Sequence, residues 1–282
     1  MTAQVTRDLI KNNLRLTNLP DTYHRMEETV YDPATSFDAM AHIIEQDAAL
    51  TVQMLKVANS SLYDFPYKIQ SVSRAISIIG TEQLRDLVLA ATVIRFFNHA
   101  PLDGVNMDSF WRHSVACAIV CRAIATIRRE PNVERFYVAG LLHDVGRLVI
   151  FMQPEDRITQ LLKRRDEHTE LLYKVEHQVL GFDHAGLGGS LMAAWQLPPV
   201  FEEAVRCHHA PDQAVSYPIE AAVVHVADSI ANALRFGTSG ERYVPPIDSA
   251  AWSRLALPES SLEQIIRYTE QHYRQAVEVF LG

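Results

Sequence analysis

Ala139-Gly140-Leu141-Leu142-His143-Asp144-Val145-Gly146-Arg147 sets an ionisable pair, His143-Asp144, in the middle of an apolar run. The apolar residues around it, Val138, Leu141, Val145, Leu148 and Met152, step by three or four, which is one stripe of a buried helix. The pair is therefore expected inside a core, where charge is costly unless something compensates it. A divalent metal ion is an effective compensator. Gly140 and Gly146 flank the pair and leave room for another backbone or a ligand to come close.

Working outward, the same helical spacing recurs in Phe110, His113, Cys117, Cys121 and Ile124, so the His113 ring is expected to point inward. Start signals agree: Ser36 precedes Phe37-Asp38-Ala39-Met40-Ala41, and Pro198-Pro199 opens Val200-Phe201-Glu202-Glu203-Ala204-Val205. Period-2 alternation with β-branched and aromatic enrichment is nearly absent. The expected fold is all-α, a multi-helix bundle preceded by an N-terminal helical subdomain.

The seam between the two parts is Asn98-His99-Ala100-Pro101-Leu102-Asp103-Gly104-Val105-Asn106, where Pro, Gly and Asn interrupt two apolar helices. It divides the chain into residues 1–105, with short helices broken at Asp32-Pro33, Tyr63-Asp64-Phe65-Pro66 and Gly80, and residues 106–282. A second loop, from Arg235 to Pro246, precedes a terminal helix expected from Ser261 to Phe280.

Composition narrows the function. The chain has 282 residues, 48% hydrophobic and 21% charged, with 26 basic against 34 acidic residues and a formal charge of -8. That balance argues against duplex nucleic acid or an anionic membrane as partner, while local basic pockets for nucleotides stay open. Cys117, Cys121 and Cys207 form no C-x-x-C pair, the N-terminus carries no signal-like apolar core, and no apolar run reaches the roughly 18 residues of a membrane span. A cytoplasmic location is expected.

The second part holds every candidate ligand: His113, His143, Asp144, His184, His208, His209 and Asp228. Histidine nitrogens and carboxylate oxygens converging from several helices are what a divalent cation requires, and one carboxylate can bridge two ions. Such donors suit iron, manganese, nickel or zinc without choosing among them. On its helix Asp228 shares with Ala221, His225 and Asn232 a more polar face, distinct from the core stripe Val223, Val226 and Ile230. His225 stands between a ligand-orienting role and a bland one. The remaining histidines, His24, His42, His99, His168, His177 and His272, read as surface or capping residues. The run Lys163-Arg164-Arg165 reads as a solvated helix face, Trp195 as packing, and Asn59 as a left-handed helix C-cap.

In the order His113, His143-Asp144, Asp228 the chain resembles the HD superfamily of phosphohydrolases, and His184 and His208-His209 are similar to the additional ligands of its two-metal members, including the HD-GYP phosphodiesterases. The segments from Glu45 to Ser60 and from Ser71 to Gly80 resemble the opening of HDOD domains, the HD-related output domains of bacterial signalling proteins. The likeness runs from about Leu19 to about Asp228. It implies an HD-like bundle and two divalent ions, with Asp144 bridging, His113, His143 and Asp228 completing one site, and His184, His208 and His209 the other.

Departures from the catalytic relatives bear on activity. The segment His208-His209-Ala210-Pro211-Asp212-Gln213-Ala214-Val215-Ser216-Tyr217-Pro218 lacks the acidic residues and glycines of a GYP-type loop, so its Tyr217-Pro218 reads as coincidence. Ser109 stands where some relatives carry a further carboxylate, and Arg147 where a Lys is usual; its planar fork suits phosphate. The resemblance implies a regulatory module whose partner is a signalling protein or a nucleotide or phosphoester ligand. The alternative is an active metal-dependent phosphohydrolase, a phosphodiesterase or nucleotidase, with Asp144 and Arg147 as its catalytic residues. Oligomeric state is not written in the sequence.

Overall fold

Helices account for the regular structure throughout. A computed structural model of the chain describes residues 2–11, 16, 19, 21–30, 35–98, 106–167 and 169–282, and no strand occurs among the described residues. His99, His168, the Asp32-Pro33 break and positions 99–105 of the seam lie outside them.

The N-terminal part consists of α1 (Thr2–Lys11), α2 (Asp21–Val30), α3 (Phe37–Glu45), α4 (Ala48–Ala58), α5 (Val72–Ile79) and α6 (Thr81–Asn98). The second part runs α7 (Met107–Arg128), α8 (Val133–Leu142), α9 (Val145–Phe151), α10 (Glu155–Glu167), α11 (Leu172–Leu180), α12 (His184–Ala194), α13 (Pro199–Cys207), α14 (Pro218–Leu234), α15 (Ser249–Leu255) and α16 (Ser261–Leu281). Ser36, Asp47, Ser71, Asn106, Asn132, Asp183 and Asp248 each accept a backbone N–H from the third residue onward as N-caps, each worth about 1 kcal/mol. Pro199 and Pro218 take the first helical position, where the missing N–H costs nothing. The Tyr217-Pro218 pair is thus accounted for as a helix start.

The core is built around α7, which packs against α8, α14 and α16. By length and composition α7 would pass for a membrane span, but 83% of its apolar window is buried among other helices; it is the core helix of the bundle. Two glycines set the distances at the site. A Cβ on Gly140 would strike Cys121 Sγ and the Ala118 backbone on α7, and one on Gly146 would strike the His184 carbonyl and Gly188 on α12. The room at Gly146 is taken by backbone, and that at Gly140 by the Cys121 side chain together with the Ala118 backbone.

One apolar cluster spans both parts of the chain. Trp195 packs with Phe96 and Phe97 and donates its indole N–H to Leu16 O at 2.9 Å, so its packing role is observed directly. From α16, Gln275 Oε1 accepts Ser61 N at 2.6 Å, and His272 Nδ1 pairs with Ser61 Oγ at 2.9 Å. His272 is buried, contrary to the surface role expected for it, because α16 crosses back onto the loop after α4.

Two further expectations need correction. The helix does not run through His143-Asp144: α8 ends at Leu142 and α9 begins at Val145, so the apolar stripe belongs to two helices joined by a tight turn. Asn59 does end α4, but with φ -95° and ψ 8° it is not left-handed. Its amide instead donates to Leu55 O and Ile69 O and accepts Ile69 N, tying the following loop to the helix.

Candidate metal centre

All seven candidate ligands meet in one place. His113 comes from the middle of α7 and Asp228 from α14, while His143, Asp144, His184, His208 and His209 lie at or just beyond helix ends. Helix ends carry free main-chain groups, and the site uses them. His143 Nδ1 lies 2.7 Å from Gly140 O, and His208 Nδ1 lies 2.7 Å from Val205 O, each on the carbonyl three residues back. A carbonyl only accepts, so in both rings Nδ1 carries the proton and Nε2 is turned to the centre. His225 performs the supporting role through the main chain: its Nδ1 donates to His208 O at 2.7 Å, and its Nε2 accepts Asp248 N at 2.9 Å. Asn232 Nδ2 holds Asp228 Oδ1 at 2.7 Å.

On one side of the centre stand His113, His143, Asp144 and Asp228. His113 Nε2 is 3.2 Å from Asp228 Oδ1 and 3.7 Å from Asp144 Oδ2; His143 Nε2 is 3.5 and 3.3 Å from the same oxygens. Donors set tetrahedrally about one divalent ion at about 2.0–2.2 Å stand roughly 3.3–3.6 Å apart. The observed separations bracket that range. Both nitrogens of His113 and Nε2 of His143 are buried without a hydrogen-bond partner among the described residues, and such groups are uncommon without a ligand to satisfy them. The donor set and its unsatisfied nitrogens fit a metal ion.

The other side is differently furnished. His184 Nε2 lies 2.9 Å from Asp144 Oδ1, 3.3 Å from His208 Nε2 and 3.0 Å from His209 Nε2. His184 Nδ1 is 2.5 Å from Glu176 Oε2, which also accepts the His184 backbone N–H at 2.9 Å. Arg147 enters here: its Nε donates to Glu176 Oε1 at 3.0 Å, its Nη1 to Asp144 Oδ2 at 3.3 Å and to Ser239 Oγ at 2.5 Å, and its Nη2 touches His184 Nδ1 and Nε2 at 2.9 and 3.1 Å. Arg147 is 2% exposed and Glu176 fully buried.

Burial raises a carboxylate's pKa, yet Arg147, His143 and His184 hold Asp144 well below its ordinary value, and His113 and His143 do the same for Asp228. Both carboxylates are therefore ionised, the state that ligates. Burial and Arg147 disfavour a charge on His184, but Glu176 and Asp144 outweigh them and raise it to about 9. His208 is pushed down to about 3 by burial and by its neighbours His143 and His184.

Of the seven candidate ligands, six are buried and His209 is partly exposed. Its ring stacks on Tyr173 at 4.1 Å and borders a cavity of about 370 Å³ with His225 and Asp248. Of the histidines set aside in the sequence, His42 and His177 are exposed and His24 partly so. Ser109 ties down the loop after α14 by accepting Thr238 N at Oγ and at its carbonyl.

Glu176 and Ser239 went unread in the sequence. Glu176 had a signal: with Leu172, Val175 and Val179 it occupies the i, i+4 position of an apolar stripe, where a carboxylate needs a buried cation. Ser239 lies in an aperiodic loop, and nothing in its neighbours foretells the contact.

Residues 16–211 match the HDOD domain family. The fold is similar to the crystal structure of an HDOD domain protein of unknown function from Geobacter sulfurreducens, with 25% identity, TM-score 0.82 and coverage of 99% of this chain and 98% of that one. It is also similar to a candidate metal-dependent phosphohydrolase from Shewanella amazonensis, with 20% identity, TM-score 0.65 and coverage of 93% and 91%. A candidate signal-transduction protein from Marinobacter aquaeolei shares 22% identity at TM-score 0.69, covering 93% of this chain and 59% of that one. An uncharacterised protein of Treponema pallidum is 21% identical over 192 residues, and the match spans 37% of its length.

Proposed function

The chain belongs to the HDOD family, and from that premise we propose that it is a regulatory output module of bacterial signal transduction built around a divalent-metal centre. Three donor groups could hold an ion, His113 with His143 and Asp228, His184 with His208 and His209, and His143 with Asp144 and His208; in this reading the first two are the places for an ion, and Asp144 lies between them. The observation that favours regulation over hydrolysis is the state of Arg147. The group best suited to grip a phosphate is buried, and its guanidinium is committed to Asp144, Glu176 and Ser239. In this reading the metal consolidates the bundle, and the output passes to a signalling protein or a nucleotide through the N-terminal part in the cytoplasm. A groove of about 530 Å³ between Asn59, Tyr67, Lys68 and Gln275 gives that part a surface for it.

The cavity beside His209 favours the second reading, a metal-dependent phosphohydrolase, because it gives a phosphoester a route to the donors. A bound divalent ion would supply Lewis acidity there. Asp144, His113, His143 and Asp228 would hold it; Asp144 would also orient His184, and Arg147 would supply the fixed positive charge opposite developing negative charge.

The deciding experiment is elemental analysis of protein purified without added metal, paired with a screen of phosphodiesters and phosphomonoesters. The regulatory reading expects bound divalent metal and no turnover above that of Asp144→Asn. Metal-dependent turnover that Asp144→Asn abolishes would replace it with the enzymatic one.

A further inference from the structure

We propose that the centre takes one divalent ion, held by His113, His143, Asp144 and Asp228, and that the Arg147 guanidinium is the built-in cation of the second place. The inference deepens the reading of these residues as a metal site and rests on it. The two places differ in what already occupies the neighbourhood of their donor atoms. At the first, His113 Nε2 and His143 Nε2 are buried and face the carboxylates of Asp144 and Asp228 at 3.2–3.7 Å, and Arg147 approaches this end through Asp144 Oδ2 and not through a ring nitrogen. At the second, the nitrogen that would ligate, His184 Nε2, has a guanidinium nitrogen 3.1 Å away. An ion bonded to that nitrogen would stand within a few ångströms of a permanent positive charge in a buried setting, where repulsion is poorly screened.

Arg147 has little freedom to withdraw. Glu176 Oε1, Asp144 Oδ2 and Ser239 Oγ hold three sides of its fork, and Gly146 brings its helix against the His184 backbone more closely than any other residue would allow. Glu176 is the second half of the device. Its charge is spent on Arg147 and on His184 Nδ1, so it fixes both the cation and the ring beside it, and its own carboxylate is not free for another ion. Asp144 then bridges a metal ion and an arginine, with Oδ2 serving the first place and Arg147, and Oδ1 serving His184.

The test is zinc stoichiometry. Metal-free full-length protein is incubated with excess Zn²⁺, freed of unbound ion by gel filtration and assayed for zinc per chain. One ion is expected in the wild type, none in His113→Leu, and one still in His209→Ala. Arg147→Met, which keeps the length of the side chain and removes its charge, is expected to hold two. Two ions in the wild type would overturn the inference and leave the metal site standing; none would overturn both. Loss of the single ion in His209→Ala with retention in His113→Leu would place it at the wrong end. A folded Arg147→Met protein, judged by far-ultraviolet circular dichroism, that still holds one ion would remove the arginine from the account. Should that variant fail to fold, the wild type and the two histidine variants decide the count and the place by themselves.

Discussion

The two ends of the centre are made of the same residue types and treat them in opposite ways. At the His113 end, inward-facing nitrogens are buried and unsatisfied. At the His184 end the donors are bound to one another and to Arg147 and Glu176. A buried polar group with its bonds made contributes to the fold, whereas one with its bonds unmade is a cost that only a ligand relieves. Sequence spacing marks both kinds alike, and the difference between them separates a ligand site from a structural network.

The sharpest way to break the comparison is at the residue common to both ends. Asp144→Asn puts a neutral amide opposite His113, His143 and His184 and takes the charge from Arg147. Metal affinity is expected to fall more than a hundredfold, beyond the roughly 10–100-fold loss typical when only a supporting group is changed. His177→Ala, on an exposed ring of α11, is expected to leave it unchanged. Titration with a competing chelator measures both, and equal losses would place the metal elsewhere.

Glu176→Gln probes the saturated end. It leaves Arg147 buried with one anion fewer, and breaking a buried ion pair from one side costs about 3 kcal/mol. The loss is expected in denaturant unfolding of the metal-free protein. A variant as stable as the wild type would show that the Arg147 clamp is not a structural network.

How far this contrast could be read from the sequence depends on the source of each constraint. Helical periodicity made the all-α fold and the inward ring of His113 legible, because burial of one helix face repeats along the chain, and it set Asp228 on a separate, more polar face of its helix. The His143-Asp144 turn was not legible, since α8 and α9 present apolar stripes in phase and no Gly or Pro stands at the two positions between them. Glu176 lay on a visible stripe. His272 and Ser239 were hidden for a different reason: their partners are Ser61 and Arg147, and contacts across 211 and 92 residues leave no local pattern.

His113→Leu tests the other end. The metal-free protein is expected to lose about 1–2 kcal/mol, because the substitution takes from the buried Asp228 carboxylate the imidazole that stands 3.2 Å from its Oδ1. The same substitution should abolish the gain in melting temperature that metal gives the wild type. A metal-free variant as stable as the wild type would show that Asp228 does not depend on His113.

The smallest effect is expected at Asn59, a polar group with its bonds made and no part in the centre. Its amide exchanges hydrogen bonds with the Ile69 backbone in both directions and returns one to Leu55. These contacts hold the loop from Ser60 to Gln70 against α4, and that loop lines the N-terminal groove. Asn59 is exposed, so water replaces part of what Asn59→Ala removes, and the expected cost is about 1 kcal/mol. Zinc content should not change, because α4 contributes no donor to the centre. Unfolding midpoints and zinc per chain, measured on one preparation, separate the outcomes. Lost stability with full metal content agrees with a loop tie. Lost metal would couple the N-terminal groove to the centre, and with it the saturated network at Arg147 and the unsatisfied nitrogens at His113 would become parts of one responsive unit.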